Sequence, residues 1–270
     1  MEARQLLQSL RGELRRDGEI ILAHLLKRRP GELYLLSEEV PEEVVKKFKR
    51  LMKLRERGFP TAYLIGEWDF YGRTFKVKEG VLIPRPETEL LVEKTLELIP
   101  ADKEMEGFEV GGGTGCISIT LLLERGLLRM AVDDVNPTAV ELMKENAKIH
   151  GVDYRLEVFE GDMFSPVKGR RFDFIVSNPP YIPENFWERL PPEVRREGRE
   201  ALIGGEKGYE FYERFAKEVP RHLKGGGFVA LEIGHDQGRV VEELLKGAGF
   251  ERVIIYKDYS GQDRVVIAWS

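Results

Sequence analysis

The spacing of apolar residues changes period along the chain, and each change marks a different kind of element. From residue 1 to about 58 apolar positions recur at helical spacing: Leu6, Leu7, Leu10 and Leu14, then Ile20, Ile21, Leu25 and Leu26. The segment SEEVPEEVVKKFKRLMKLRERG opens on a capping residue, Ser37, and closes at Gly58 ahead of Pro60, which predicts a further helix. Over residues 67–83 the pattern becomes alternation. EWDFYGRTFKVKEGVLI is rich in aromatic and β-branched residues, with Gly72 and Gly80 as turn points, and predicts a hairpin linking two domains. Pro84 and Pro86 stop it, and Thr88 through Leu98 returns to helical spacing.

From Phe108 onward short apolar runs alternate with helical patterns. Strands are expected at FEV, RMAVDD, YRLEVFEG, FDFIVSN, GFVALEIG, ERVIIYKD and DRVVIAW. Helices are expected at CISITLLLERG, PTAVELMKENAKIHG, YEFYERFAKEVPRHL and GRVVEELLKGAG. Alternating strand and helix predicts an α/β domain with a mostly parallel sheet covered on both faces. The short SGQ turn before the last strand predicts an antiparallel closing pair. The expected division is a helical domain over 1–66, a hairpin linker over 67–84 and the α/β domain over 85–270.

Composition narrows the class. Hydrophobic residues are 42% of 270, enough for a sizeable core, and no apolar run is long enough to span a membrane. The N-terminus alternates charge with apolar residues and lacks a signal-peptide core, so a cytoplasmic location is expected. Cys116 is the only cysteine and the four histidines are scattered, which excludes a disulfide framework and leaves no metal-ligand spacing. A net charge of −5 argues against a broad basic grip on nucleic acid. The run Lys46, Lys47, Lys49, Arg50, Lys53, Arg55 and Arg57 reads as a solvated helix face that can also meet an acidic partner. Abundant Lys, Glu and Arg with only four Asn and four Gln resembles a thermophile's composition.

Two loops carry candidate chemistry. Glu109-Val110-Gly111-Gly112-Gly113-Thr114-Gly115 follows a strand and opens a helix. Glycines there let the backbone turn tightly and approach a nucleotide-like ligand. Asp133 follows Gly113 by twenty residues, at the end of the next strand, where a carboxylate can accept from both ribose hydroxyls. Asp134 is its rival. Strand alternation points the two oppositely, and Asp133, which ends the apolar Ala131–Val132 run, is the expected one. By itself this suits a nicotinamide enzyme as well as a methyltransferase. The dinucleotide spacing fails, however, because its third glycine falls on Cys116 or Ser118. Gly161-Asp162-Met163-Phe164 ends another strand on the same edge; Asp162 can accept from an adenine amino group and Met163 can pack on the ring.

The second loop is Asn178-Pro179-Pro180-Tyr181, after FDFIVS. Two prolines fix the backbone and remove two donors. The Asn178 side-chain oxygen and the Pro179 carbonyl remain as acceptors, a match for the two N–H groups of a planar amino group such as a carboxamide or adenine N6. Tyr181 can lie flat against that group.

Together with Val81 through Glu89 (VLIPRPETE), Ala201 through Gly208 (ALIGGEKG) and the closing Asp258–Arg264 segment, these loops resemble the HemK/PrmC-type protein glutamine methyltransferases, which modify the Gly-Gly-Gln loop of peptide release factors. The resemblance covers nearly the whole chain. It implies a Rossmann-like class I methyltransferase sheet with a small N-terminal helical domain that docks the release factor. It implies S-adenosylmethionine as cofactor, with S-adenosylhomocysteine as product, held by Gly111 through Gly115, Asp133, Met163 and Asn178. Asn178, Pro179, Pro180 and Tyr181 are implied to hold the substrate glutamine. Residues 84–87 read Pro-Arg-Pro-Glu, not the Pro-Arg-Ser-Pro typical of a related ribosomal-protein glutamine methyltransferase, which favours the release-factor branch and places Arg85 and Glu87 among the substrate contacts. Glu109 stands where the family usually has Asp, Gly112 where it has a non-glycine, Ala62 where it has Gln, and Arg196-Glu197-Gly198 where it has Phe-Glu-Pro. The rival readings are the ribosomal-protein enzyme, a DNA or RNA adenine-N6 methyltransferase, which needs base flipping and a basic channel, and a cofactor-binding scaffold without turnover.

Overall fold

The computed structural model describes residues 2–35 and 39–270, so the expected cap Ser37 lies outside the described residues. The chain divides into two units, residues 1–67 with 191–196, and residues 68–190 with 197–270.

The first unit contains α1 (Ala3–Leu7), α2 (Gly12–Leu26), α3 (Glu42–Arg55) and α4 (Thr61–Ile65). Leu7, Ile21, Leu22, Leu33 and Phe48 form its core, each burial contributing about 1.5–3 kcal/mol. The Leu6–Leu14 repeat is not one helix. The chain leaves helical backbone between Leu7 and Gly12, where Arg11 is extended (φ −135°, ψ 156°) and precedes α2 as its cap. In α3, Phe48 and Met52 face the core while Lys46, Lys47, Lys49, Arg50 and Lys53 are exposed. Arg55 leaves that basic face. Its guanidinium turns inward to Asp17 (2.6 Å) and Glu193 (2.9 Å). Arg196 completes this unit, stacked 3.5 Å over the Phe59 ring.

The alternating segment forms a hairpin of β1 (Glu67–Phe70) and β2 (Arg73–Lys76), turning at Tyr71 and Gly72. Residues 77–83 make no strand. The side chain of Asn146 explains the stop. It accepts from the Lys76 N–H (2.8 Å) and donates to the Lys76 carbonyl (3.1 Å), so both backbone groups are satisfied without another strand.

The sheet of the second unit has seven strands: β3 (Met105–Val110), β4 (Leu128–Asp134), β5 (Leu156–Glu160), β6 (Phe172–Ser177), β7 (Leu223–Glu232), β8 (Arg252–Lys257) and β9 (Asp263–Trp269). Their order is β5-β4-β3-β6-β7-β9-β8. The first five are parallel, and β9 runs antiparallel between β7 and β8. Helices α5 (Thr88–Leu96), α6 (Cys116–Glu124) and α7 (Pro137–Ile149) pack Leu91, Ile119 and Met143 against Val132, Val176 and Ala230. On the other face α8 (Glu210–Glu218) and α9 (Gly238–Gly247) pack Phe215 and Val241 against Val229, Leu231 and Val266. Adjacent residues Val229, Ala230 and Leu231 thus serve opposite layers, as strand alternation requires.

Register decides what meets at the carboxyl edge. Val110 pairs with Asp133, Glu109 with Val176, and Ser177 with Leu231. Gly111 and Asn178 leave the sheet there, beside Asp134 and Glu232, the last residues of β4 and β7. The chain winds outward in both directions from β3 and β6, and that switch point is where open α/β sheets bind ligands. Among the described residues no helix is long and apolar enough to cross a membrane, and no group of three His, Cys, Asp or Glu can hold a metal.

Candidate active site

A cleft of about 700 Å³, open solvent at its mouth included, lies at this switch point. Its walls include Gly111, Gly112, Gly113, Thr114, Asn178, Pro180 and Arg85 from the residues singled out in the sequence. Gly115, Asp133, Asp162, Met163, Pro179, Tyr181 and Glu87 are outside the wall. Val135, Asn136 and Glu200 line it without any sequence signal having marked them, and Leu82 and Thr88 line it from the VLIPRPETE segment, neither having been assigned a role there.

The glycine loop turns through left-handed backbone at Gly111, Gly113 and Gly115 (φ +72°, +57° and +79°). Gly112 has another reason to lack a side chain. A Cβ there would meet Met143 Sδ and Val132 Cγ2, each at 2.4 Å. Glu109 is fully buried beneath the loop, with Oε2 accepting from the Ser118 N–H (3.0 Å) and hydroxyl, while Oε1 has no partner among the described residues. Burial pushes its carboxyl up to about 8. Cys116, also in the wall, is pushed up by burial to about 12, which makes it a packing residue and not a nucleophile.

The two candidate acids divide as follows. Asp134 lines the cleft, but its oxygens are committed to backbone N–H groups of Gly113 (2.9 Å) and Asn136 (2.8 Å). Asp133 accepts from the Gly111 N–H at 3.3 Å, and its other oxygen takes no hydrogen bond among the described residues. Burial holds Asp133 high, at about 9. Asp162 is exposed and paired with Arg214 at 2.6 Å, while Met163 is buried at φ +57°.

These features fit an adenosyl cofactor with a charged amino-acid end. Asp133 keeps an open acceptor for ribose hydroxyls. The unpartnered Glu109 Oε1 and the side-chain-free glycine loop suit a close, donor-bearing ligand.

Across the cleft, Asn178 donates through Nδ2 to Thr88 Oγ1 at 3.1 Å. The Thr88 hydroxyl donates to Glu232 Oε2 at 2.6 Å, and the Tyr181 hydroxyl donates to Glu232 Oε1 at 3.3 Å. Asn178 Oδ1 and the Pro179 carbonyl receive no donor from the described residues, so two acceptors stand ready side by side in the chain. Gln237 Nε2 holds the Tyr181 carbonyl at 2.9 Å. Ile182 bridges to Leu202 and Gly204, and a Cβ on Gly204 would strike the Pro180 carbonyl at 2.5 Å. The ALIGGEKG segment therefore seats the Asn-Pro-Pro-Tyr loop. Arg85 is tied to buried Glu197, which also accepts from the Ile83 N–H at 3.1 Å. Glu87 is exposed and precedes α5.

Residues 86–188 match the family described as Methyltransferase small domain, and residues 1–66 match PrmC N-terminal domain. The release factor glutamine methyltransferase of Aquifex aeolicus (strain VF5) is 63% identical, covering 100% of this chain and 97% of that one. The enzyme of the same name from Bacillus cereus is 43% identical over 93% of this chain and 91% of its own. Among solved structures, the ribosomal protein L11 methylase from Lactobacillus delbrueckii subsp. bulgaricus superposes with a TM-score of 0.53 at 18% identity, covering 71% of this chain and 82% of that one, a likeness of fold alone. By the extent and identity of these matches, the chain belongs to the release factor glutamine methyltransferase family.

Proposed function

We propose that this protein transfers a methyl group from S-adenosylmethionine to the side-chain amide nitrogen of the glutamine in the Gly-Gly-Gln motif of peptide chain release factors. The observation that carries this reading is the pair of unclaimed acceptors, Asn178 Oδ1 and the Pro179 carbonyl, beside a cleft suited to the cofactor. Two acceptors held by a rigid loop suit the two N–H groups of a carboxamide.

The cofactor supplies the electrophile, a methyl on positively charged sulfur. An amide nitrogen is a poor nucleophile because its lone pair is delocalised into the carbonyl. The chain's residues therefore act by positioning and electrostatics. Asn178 and Pro179 accept the two N–H bonds, orient the nitrogen and stabilise the positive charge that develops on it. Tyr181 lies against the planar amide, and Arg85 and Glu87 hold the approaching peptide. Gly111 through Gly115 and Asp133 seat the cofactor, with Asp162 and Met163 at its adenine end. The nitrogen's surplus proton leaves to water.

The clamp reads only a planar NH₂, so selectivity for an intact factor needs a second surface. Residues 1–66 provide it, with the basic face of α3 as the docking candidate; residues 67–84 link that part to the catalytic one. The acidic net charge favours a protein acceptor over a nucleic acid.

The test is mass spectrometry after incubation with S-adenosylmethionine and three acceptors in parallel: release factor, total ribosomal protein and adenine-containing DNA. Methyl is expected on the release-factor glutamine. Transfer mainly to DNA would sink the protein-substrate reading, and transfer mainly to a ribosomal protein would move the chain to the other glutamine branch.

A further inference from the structure

A primary amide presents a donor end and an acceptor end of nearly the same shape. Either end of Asn178 can face the substrate as far as sterics go. Only one is useful, because Nδ2 turned outward would set donor against donor. What breaks the tie lies behind Asn178, in residues the reaction does not touch.

Thr88 Oγ1 carries one proton, and Glu232 Oε2 takes it at 2.6 Å. Only lone pairs then remain on Thr88 for Asn178, so Asn178 must offer Nδ2. Both partners are buried, Thr88 at 2% and Glu232 at 1% exposure, so water cannot substitute for either. The arrangement depends on the fold. Glu232 ends β7 next to Asn178 because Leu231 pairs with Ser177, and Thr88 is the first residue of α5, which packs on β7. We propose that Glu232 and Thr88 are positioning residues for methyl transfer, the carboxylate polarising the Thr88 hydroxyl into a pure acceptor that locks Asn178 with Oδ1 toward the substrate amide. This rests on the clamp reading above and adds to it the device that sets the clamp's polarity.

The groups facing Glu232 decide when the device works. Arg264 on β9 favours the carboxylate, as do the hydroxyls of Thr88 and Tyr181; Glu87 opposes it, and Tyr212 on α8 donates to the Glu232 backbone carbonyl at 2.8 Å. Burial outweighs the favourable partners and brings Glu232 up to about 7. Above that value the carboxylate accepts from Thr88 and the lock holds. As the pH falls through it, Glu232 gains a proton and becomes a donor. The Thr88 proton is then free to face Asn178, and the amide loses its fixed sense. Turnover should fall on the acid side.

The experiment uses full-length enzyme, intact release factor and S-adenosylmethionine, comparing Thr88→Val, Thr88→Ser, Glu232→Gln and Asn178→Ala. Thr88→Val should lower kcat by about 10²-fold, the scale of a misaimed reacting group, with cofactor Kd little changed. Thr88→Ser keeps the hydroxyl and should recover most of the loss. Glu232→Gln is the neutral counterpart of the protonated carboxyl and cannot titrate, so its kcat should sit near the wild-type acid-side level and the acid limb of its profile should disappear; this readout serves even if Thr88→Val folds poorly. Near-normal kcat in Thr88→Val while Asn178→Ala is inactive, equal losses in Thr88→Val and Thr88→Ser, or an acid limb unchanged in Glu232→Gln would each overturn the positioning role. Near-normal turnover in Asn178→Ala would instead overturn the clamp reading itself.

Discussion

The two banks of the cleft are built by opposite means. The cofactor bank is built chiefly on one stretch, residues 109–115, whose backbone turns on glycines, with the buried acids Glu109 in that stretch and Asp133 on the neighbouring strand. The substrate bank gathers Thr88, Asn178, Tyr181, Glu232 and Gln237 from distant parts of the chain and joins them by side-chain hydrogen bonds. A bank made of backbone geometry is tolerant of single side-chain changes outside its glycines. A bank made of a buried network fails when one member is lost, because the remaining polar groups are stranded away from water. The banks should therefore respond separately to mutation.

The largest expected effect is on the substrate bank. Asn178→Ala removes one of the two acceptors on the reacting amide, and kcat should fall about 10²–10³-fold, the usual loss when one preorganised hydrogen-bonding group at a reacting centre is deleted. Most cofactor affinity and the melting temperature should survive. Steady-state kinetics with calorimetry on the same preparation checks this. A large loss of cofactor affinity alongside turnover would show that the two banks are one unit.

The same contrast governs what the sequence reveals. Gly111, Gly113 and Gly115 are legible because left-handed turns demand glycine locally, whatever the rest of the chain does. The seven strands are legible for a similar reason: each apolar run is bounded by turn residues, and strand and helix alternate regularly. Asn-Pro-Pro-Tyr is legible because four consecutive residues carry its logic. Thr88 and Glu232 are not. Thr88 reads as an ordinary helix start and Glu232 as the end of an apolar strand. Their pairing is 144 residues apart and exists only through the β6–β7 register and the packing of α5 on β7. The strand end at Lys76 was hidden likewise, because its cause, Asn146, lies 70 residues downstream.

A smaller effect sharpens the cofactor bank. Asp133→Ala should weaken S-adenosylmethionine binding by about 1.5–3 kcal/mol, the scale of hydrogen bonds to a charged group, while leaving kcat at saturation nearly intact. Ligand-free Asp133 is protonated below about 9 because it is buried, and ribose hydroxyls favour its ionised form. Wild-type affinity should thus strengthen as pH rises toward 9, and Asp133→Ala should lose that part of the slope. Calorimetry across pH reads both. Asp134→Ala removes the acceptor for the Gly113 and Asn136 N–H groups, so it disturbs the loop itself. If Asp133→Ala binds normally and Asp134→Ala binds weakly with an unchanged melting temperature, the ribose partner is Asp134.

The smallest effect tests how tightly the substrate bank is tied together. Tyr181 contributes a ring and a hydroxyl, and only the ring is assigned to the substrate amide. The hydroxyl reaches Glu232 at 3.3 Å, longer than the 2.6 Å of the Thr88 bond to the same carboxylate. A hydrogen bond to a carboxylate contributes about 1.5–3 kcal/mol at good geometry, and at 3.3 Å this one falls well short of that. Glu232 also keeps its Thr88 partner when the Tyr181 hydroxyl is gone. Tyr181→Phe should therefore lower kcat by less than about threefold, whereas Tyr181→Ala, which removes the face that supports the amide and leaves a void at the edge of the core cluster that Tyr181 packs against, should be severe. Single-turnover rates for the two variants, measured beside Thr88→Val, separate the cases. A loss of tenfold or more in Tyr181→Phe would mean that the long bond to Glu232 aims the ring, and that the carboxylate controls both members of the clamp rather than Asn178 alone.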